Sequence, residues 1–244
     1  MSVDIDAARS ELADPNTLRV GVNLGNILLV TGETPAGDPV GVSPDLSAAI
    51  ADRLGVAVSY VTYASAGDVA DGVMRDDWDI GLIAVEPKRA ETISFCRHYS
   101  EIVATYLVPE GSPLQAIEDV DKPGVRIAVA DRAAYDLYLS RTIKHAELCR
   151  AKGLPCAFKL FVDEKLDALA GLEPALLDNA KELPGSRVLP GRYTSVMQTV
   201  GTKPGNANLK ALVEEFLDEA RKSGLVGTLI EKHGVVGRLH PAAG

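Results

Sequence analysis

The chain has 244 residues, of which 46% are hydrophobic and 24% charged, the balance of an ordinary globular protein with room for one large domain or two modest ones. Its formal net charge is −9, which argues against nucleic acid and anionic membrane surfaces, since both call for a basic face. No run of about 18 apolar residues is present to cross a membrane as a helix, and the opening "MSVDIDAARSELADPNTLRV" lacks the basic-then-apolar order of a signal peptide. The cysteines, Cys96, Cys149 and Cys156, have no CxxC spacing; they read as structural thiols, with a Cys149–Cys156 bridge left open. Scattered histidines and the lack of HExxH, GxSxG, GxxxxGK[ST] and a strand-linked GxGxxG remove the common hydrolase, nucleotide and dinucleotide signatures. No metal or cofactor is implied.

The first predicted strand is "LRVGVN", residues 18–23. After a Gly/Pro-rich loop from Gly32 to Gly41, Ser43-Pro44-Asp45 reads as a helix start, with a hydroxyl cap, an early proline and a first-turn acid. Leu46, Ile50 and Leu54 repeat every fourth residue, and Gly55 ends that helix. A β-branched strand at 56–62 leads to a short helix near 66–76 that Ser65 could cap. In the strand 79–85, Ile80, Leu82, Ile83 and Val85 have only small residues between them, and the apolar run then stops at Glu86-Pro87-Lys88-Arg89, which raises the question of why a core strand delivers an acid and two cations at its carboxyl end. This β-α-β-α-β order predicts a parallel sheet.

The strand in 103–113 and the one at 124–130 open a second series. A helix is expected from Ala133 to His145 with Leu137 and Ile143 inward, then a short strand near 146–150. The stretch 155–166 is ambiguous: Phe158 and Phe161 favour a strand, while Pro155 and the spacing of Ala157, Leu160 and Phe161 favour a helix. The alternating series selects the helix. A strand at 167–171 precedes a helix that Pro174 starts and that runs to about Leu183. The strand 195–201 leads into the clearest helix, with Leu209, Leu212, Val213, Phe216, Leu217 and Ala220 in one stripe and Gly224 as its stop. A shorter helix follows, and the tail 235–244 is expected to fray.

Five stretches in this order carry a family resemblance: "LRVGVN", "GVSPDLSAAIADRLGV", "DIGLIAVEPKRAETISFCRHY", "YLVPEGSPLQAIEDVDKPGVRIAV" and "NLKALVEEFLDEARKSGLVGTLIEKHG". Over about residues 17–234 the chain resembles the family 3, polar-amino-acid type, extracellular solute-binding proteins of ABC transporters. The resemblance implies an α/β, two-lobed type II periplasmic-binding-protein fold. Each lobe is then a mostly parallel sheet flanked by helices, with a ligand cleft between lobes. Lobe 1 would be 1–106 plus 196–244 and lobe 2 would be 107–195, with hinge strands near 103–108 and 195–200.

The resemblance makes Arg89 the anchor for a ligand carboxylate, a role suited to the planar guanidinium fork; the bland alternative is a surface cation at a helix start. Where the family has hydroxyl residues before this arginine, Ala84 and Glu86 stand here in a shorter loop. Where it has an aromatic ring after the first strand, "NLGNILLV" has none, so Asn23, Asn26 and Leu28 are expected to line that wall. Both asparagines have turn organisation as their other role. A second ring is missing near Ser65, and Gln198 on the second crossing strand joins the expected lining. In lobe 2 the strand-to-helix junction at Asp131 offers backbone amides to an anion. Asp131 itself reads first as the helix cap, and Tyr135 either reaches the cleft or packs beneath it. The family's ammonium-binding acid aligns with Leu172, and the adjacent acid is Glu173, otherwise a first-turn helix acid.

The expected function is thus a monomeric binding protein, not an enzyme, that closes on a small amino-acid-like or carboxylate ligand and passes it to an ABC transporter permease. The alternatives are an enzyme on the same fold, resembling cyclohexadienyl dehydratases with Glu86 or Glu173 as the acid, and a soluble ligand sensor. The resemblance implies the periplasm, whereas the missing leader leaves the cytoplasm open.

Overall fold

The computed structural model describes residues 3–242. In it the chain divides into two compact units: one comprises the residues up to Glu101 and those from Met197 on, the other Ile102–Val196.

Unit 1 begins with a helix that the sequence pattern had not marked, α1 (Ile5–Ser10), capped by Asp4. It then runs through β1 (Thr17–Asn23), a small hairpin of β2 (Gly32–Glu33) and β3 (Pro39–Val40), α2 (Val42–Leu54), β4 (Ala57–Tyr63), α3 (Ala66–Gly72), β5 (Ile80–Ala84), β6 (Ser94–Phe95) and the first part of β7 (Ser100–Val108). Unit 2 continues with β8 (Arg126–Ala130), α4 (Ala134–Thr142), β9 (Glu147–Ala151), α5 (Leu154–Asp163), β10 (Ala168–Leu172), α6 (Glu173–Glu182) and β11 (Arg187–Val188). Next, β12 (Thr194–Thr202) returns to unit 1, which ends with α7 (Ala207–Ser223), α8 (Leu225–Lys232) and β13 (His240–Pro241). Both units are thus α/β, with parallel strands linked through helices.

In unit 1 the strand order is β4-β1-β5-β12. β1 is parallel to both β4 and β5, in the register Val20↔Tyr60 and Val20↔Ile80, whereas β12 is antiparallel to β5 with Gln198 opposite Ala84. Crossover helices between parallel strands bury both faces of such a sheet, which is why β5 reads as an unbroken apolar run and is buried at every residue. Its anchor is Trp78, the single tryptophan, fully buried with its indole N–H donating to the Val69 carbonyl at 2.9 Å. Glycines make room for it: a Cβ on Gly21 would lie 2.7 Å from the indole, and one on Gly72 also 2.7 Å. In unit 2 the parallel strands β10, β8 and β9 are joined by β7, antiparallel to β10, with β11 on the other side of β7.

Several local expectations need correction. The cap of α2 is Gly41, not Ser43: a Cβ there would collide with the Leu29–Val30 backbone, and Ser43 sits inside the helix with its hydroxyl 3.0 Å from the Tyr99 hydroxyl. The inward residues of α4 are Tyr135, Asp136 and Leu139, while Leu137 and Ile143 are half-buried. The tail is not frayed up to residue 242. Val235, Leu239 and Ala242 are buried, His240–Pro241 pairs with β7, and the Ala242 N–H donates to the Tyr99 carbonyl at 2.9 Å; residues 243–244 lie outside the described part. All three cysteines are free thiols, so the Cys149–Cys156 bridge is absent, and burial pushes the Cys96 thiol up to about 12.

One ion cluster ties α8 to α2. Asp45 in the first turn of α2 accepts hydrogen bonds from Lys232 and from the His233 ring, each at 2.7 Å. Burial works to raise the Asp45 carboxyl, but those two partners outweigh it and hold it below its ordinary value of 3.8. A carboxyl lowered by folding stabilises the fold above its ordinary pKa and loses that contribution as pH falls through the lowered one. Asp45→Asn is therefore expected to melt below wild type at neutral pH, with the gap narrowing as pH falls below the ordinary carboxylate value of 3.8; a gap that stays constant from neutral pH to below that value would contradict this.

Candidate functional site

Because β1, β4 and β5 are parallel, their carboxyl ends share one edge of the unit 1 sheet, and antiparallel β12 brings Met197 and Gln198 to the same edge. In open α/β sheets this edge is where ligands bind. After Ala84, the Val85 N–H still donates to the Met197 carbonyl at 2.9 Å, extending the ladder by one residue. Glu86 then turns in and is only 2% exposed, with Oε2 accepting from the Lys88 backbone N–H at 2.8 Å. A 3₁₀ turn over Arg89–Glu91 carries Arg89, which is 5% exposed. Its Nη1 donates to the Ala84 carbonyl at 3.0 Å, which aims the guanidinium back over the end of β5. The surface-cation reading of Arg89 is thereby excluded, since charged side chains are rarely so buried without a purpose.

The rest of the edge is built from turns. Asn23 ends β1, and its Oδ1 accepts from the Gly25 N–H at 3.0 Å. Gly25 must be glycine, because a Cβ would stand 2.7 Å from the Ala64 carbonyl oxygen. The Asn26 Oδ1 accepts from the Leu28 N–H at 3.3 Å. Both asparagines therefore organise the turn in the Asx manner, and both remain half-buried at the edge. Leu28, expected on the wall, is in the core; its neighbour Ile27 is the exposed residue. Ser65 caps α3, accepting from the Asp68 N–H at 3.2 Å while its hydroxyl donates to the Asp68 carboxylate at 2.7 Å. Gln198 is 5% exposed and pairs in the ladder opposite Ala84. Unit 1 thus brings Asn23, Asn26, Ser65, Glu86, Arg89 and Gln198 to one sheet edge.

In unit 2 the corresponding edge is formed by the ends of β8, β9 and β10. Asp131 is exposed and does not cap α4. Asp136, inside the helix, holds the junction instead: its Oδ2 accepts from the N–H of Arg132, the residue before the cap position Ala133, at 2.8 Å, and its Oδ1 accepts from Arg150 Nε at 3.0 Å. Arg132 has φ 59°, the left-handed region, which turns the chain sharply into the helix. Tyr135 packs beneath this junction at 3% exposure. Burial pushes its ionisation well above the ordinary tyrosine value. Glu173 is the first residue of α6, directly after β10, and is half-buried, whereas Leu172 is buried in the sheet. The exposed apolar residues Ile27, Val85 and Met197 were not singled out by the sequence pattern, in which each belongs to a longer apolar or alternating run.

The sequence matches the bacterial extracellular solute-binding proteins, family 3, over residues 18–236. The chain belongs to this family. No curated protein matches it. Among solved structures, an amino acid ABC transporter substrate-binding protein from Streptococcus pneumoniae, bound to L-arginine, is 19% identical, with 96% of this chain and 99% of that one covered and a TM-score of 0.76. An ancestral amino acid-binding protein described as a precursor of cyclohexadienyl dehydratase is 23% identical, covering 95% and 99%, with a TM-score of 0.75. A histidine kinase sensor domain with similarity to periplasmic binding proteins is 20% identical, covering 88% and 95%, also with a TM-score of 0.75. At these identities the likeness is one of fold, and the fold of this family 3 solute-binding protein is shared by transport, sensing and the precursor of an enzyme. Among the described residues no helix is long and apolar enough to cross a membrane.

Proposed function

We propose that this family 3 protein binds a small amino-acid-like or carboxylate ligand through the carboxylate-gripping fork of Arg89 and delivers it to an ABC transporter permease. The observation that carries the reading is the placement of Arg89. A buried guanidinium, oriented by a backbone carbonyl, stands at the carboxyl edge of a parallel sheet in a chain of this family. Guanidinium meets carboxylate through two parallel hydrogen bonds, which gives geometric selectivity as well as affinity. Asn23, Asn26, Ser65, Glu86 and Gln198 share that edge and complete the unit 1 contribution. Within unit 2 the family reading points to Asp131 and Glu173 at the strand-end edge, with Tyr135 packed beneath it, and it assigns a hinge role to the two strands, β7 and β12, that pass from one unit to the other.

Glu173 is the residue that separates amino acids from plain carboxylates. An acid facing the ligand would pair with an ammonium, so Glu173→Gln is expected to weaken an amino acid by roughly tenfold while leaving its deaminated analogue unchanged. Equal losses for the two ligands, measured by calorimetry, would remove Glu173 from amine recognition.

The enzyme reading keeps one specific support, the buried Glu86 three residues before Arg89, which has the placement of an acid beside a carboxylate anchor. The two readings part in one experiment. The protein is screened by thermal shift against amino acids and small organic acids, and each stabilising compound is then incubated and recovered. Binding to the folded state raises the melting temperature, and the proposal expects the compound back unchanged by mass spectrometry. Recovery of a dehydrated or decarboxylated product would replace transport by catalysis.

A further inference from the structure

Eight large apolar side chains are exposed among the described residues. Five of them, Ile5, Met74, Val162, Leu177 and Val236, are dispersed over the chain, as is normal for isolated surface residues. The other three, Ile27, Val85 and Met197, gather at the sheet edge that carries Arg89. Their exposures are 54%, 38% and 41%. Val85 and Met197 are direct cross-strand partners: the register that sets Gln198 opposite Ala84 sets Met197 opposite Val85, and the Val85 N–H donates to the Met197 carbonyl. Opposed residues of an antiparallel pair project on the same face with Cβ atoms about 5 Å apart. Ile27 lies in the turn after β1, the strand next to β5. The side chains of Ala84 and Gln198 fall on the opposite face from the Val85–Met197 pair, since successive residues alternate.

Exposed apolar side chains at the sheet edge that also carries an oriented guanidinium have the make-up of a ligand site, where apolar walls predominate and a few polar groups fix orientation. Glu86, three residues before Arg89, is buried, with Oε2 accepting from the Lys88 N–H. With Arg89 read as the carboxylate anchor, the exposed remainder of this edge is aliphatic and thioether surface. We infer that the ligand is a small carboxylate with an aliphatic or thioether side chain, such as leucine, isoleucine, methionine or the matching 2-oxo acids, and that Ile27, Val85 and Met197 select it. This rests on the reading of Arg89 as the carboxylate anchor. A ligand with a cationic or anionic side chain would have to desolvate its charge against these three residues, an expensive arrangement without a partner. A thioether or branched alkyl group releases water from both surfaces instead.

The test is calorimetric titration of the whole protein with L-leucine, L-methionine and 4-methyl-2-oxopentanoate on one side, and L-arginine and L-glutamate on the other. At least one of the apolar ligands is expected to bind at least roughly tenfold tighter than either charged one. The relative affinities of leucine and its 2-oxo acid then tell whether an amine is also recognised. The double variant Val85→Ser/Met197→Ser is expected to lose roughly tenfold or more in affinity for the preferred apolar ligand. Its melting temperature should stay close to wild type, because both side chains are exposed. If arginine or glutamate binds tightest and loses that binding in Arg89→Ala, the aliphatic inference is overturned and the carboxylate anchor stands. Full affinity of the double variant overturns the role of Val85 and Met197. If no member of the panel binds, both the inference and the anchor reading beneath it fail.

Discussion

Arg89→Ala is expected to lower affinity for the carboxylate ligand by roughly a hundredfold or more, the usual consequence of truncating one partner of a buried, hydrogen-bonded charge pair, about 2–5 kcal/mol. Geometry contributes here as well as charge. Arg89 is 5% exposed and its Nη1 is fixed by the Ala84 carbonyl, so the fork is held at the end of β5 before any ligand arrives. Such preorganisation spares the ligand the cost of ordering a long side chain. Arg89→Lys keeps the charge and loses the planar fork, so it is expected to recover only a small part of the affinity. The alanine variant also leaves the Ala84 carbonyl without this donor, which costs about 1–3 kcal/mol of stability. Binding must therefore be compared at a temperature where both proteins are folded, as verified by circular dichroism. Calorimetry that finds the same dissociation constant for Arg89→Ala and wild type would remove Arg89 from the site.

The largest stability effect is expected at Asp79. Its side chain is fully buried, and four hydrogen bonds converge on the carboxylate: the backbone N–H groups of Ala13 and Arg19, at 3.2 and 3.0 Å, and the Arg19 guanidinium through Nε at 3.2 Å and Nη2 at 2.8 Å. Lys203 stands 3.5 Å away and also pairs with Asp76. The cluster fastens β1, the segment leading into β5 and the chain after β12. Asp79→Ala leaves two backbone donors without their acceptor and takes the buried partner from Arg19, which keeps only its contacts with the exposed Asp76. Breaking a buried pair in this way costs about 3–5 kcal/mol, a large share of the roughly 5–15 kcal/mol that stabilises a typical domain. Asp79→Asn keeps the shape and loses the charge, so its cost should be smaller, about 1–3 kcal/mol. Trp78, the adjacent residue and the only tryptophan, is fully buried and gives urea unfolding of unit 1 its own fluorescence signal. A change below about 1 kcal/mol for Asp79→Ala would contradict the assignment.

The fold was largely legible where local chemistry decides the backbone. Gly55 and Gly224 end their helices in the left-handed conformation that glycine adopts without penalty. The stripe Leu209, Leu212, Val213, Leu217 and Ala220 is the buried face of α7, and Phe216, placed in that stripe, is half-buried. The ambiguous stretch after Gly153 is a helix, Leu154–Asp163, because an alternating parallel sheet needs a crossover there. The misreadings share one cause, a partner far away in sequence. Ser43 looks like a cap until Tyr99, 56 positions on, takes its hydroxyl. The tail looks loose until β7 pairs with it. The helix before β1 carries only a short pattern, and its worth appears in Glu11, whose carboxylate accepts from the Leu209 N–H at 2.7 Å at the start of α7.

The candidate site was legible in its residue types and less so in their orientation. A charged stop after an apolar strand pointed to the loop that carries Glu86 and Arg89, and their burial is what the structure adds. In the run Ile27-Leu28-Leu29-Val30, composition offers no way to tell that Leu28 packs inward and Ile27 outward. That choice follows from the Asn26 turn, whose side chain accepts from the Leu28 N–H. At Asp131 and Asp136 two acids compete for one helix end, and the one inside the helix wins because Arg150 on β9 holds it there.

The central claim is that Arg89 grips the carboxylate of a small ligand at the carboxyl edge of unit 1. The most direct measurement is a crystal structure of the protein with the tightest ligand from the titration panel. The account predicts both carboxylate oxygens of that ligand within hydrogen-bond distance of the Arg89 guanidinium, in the paired geometry such groups adopt. A ligand bound with its carboxylate held by other residues, away from the Arg89 guanidinium, would contradict it.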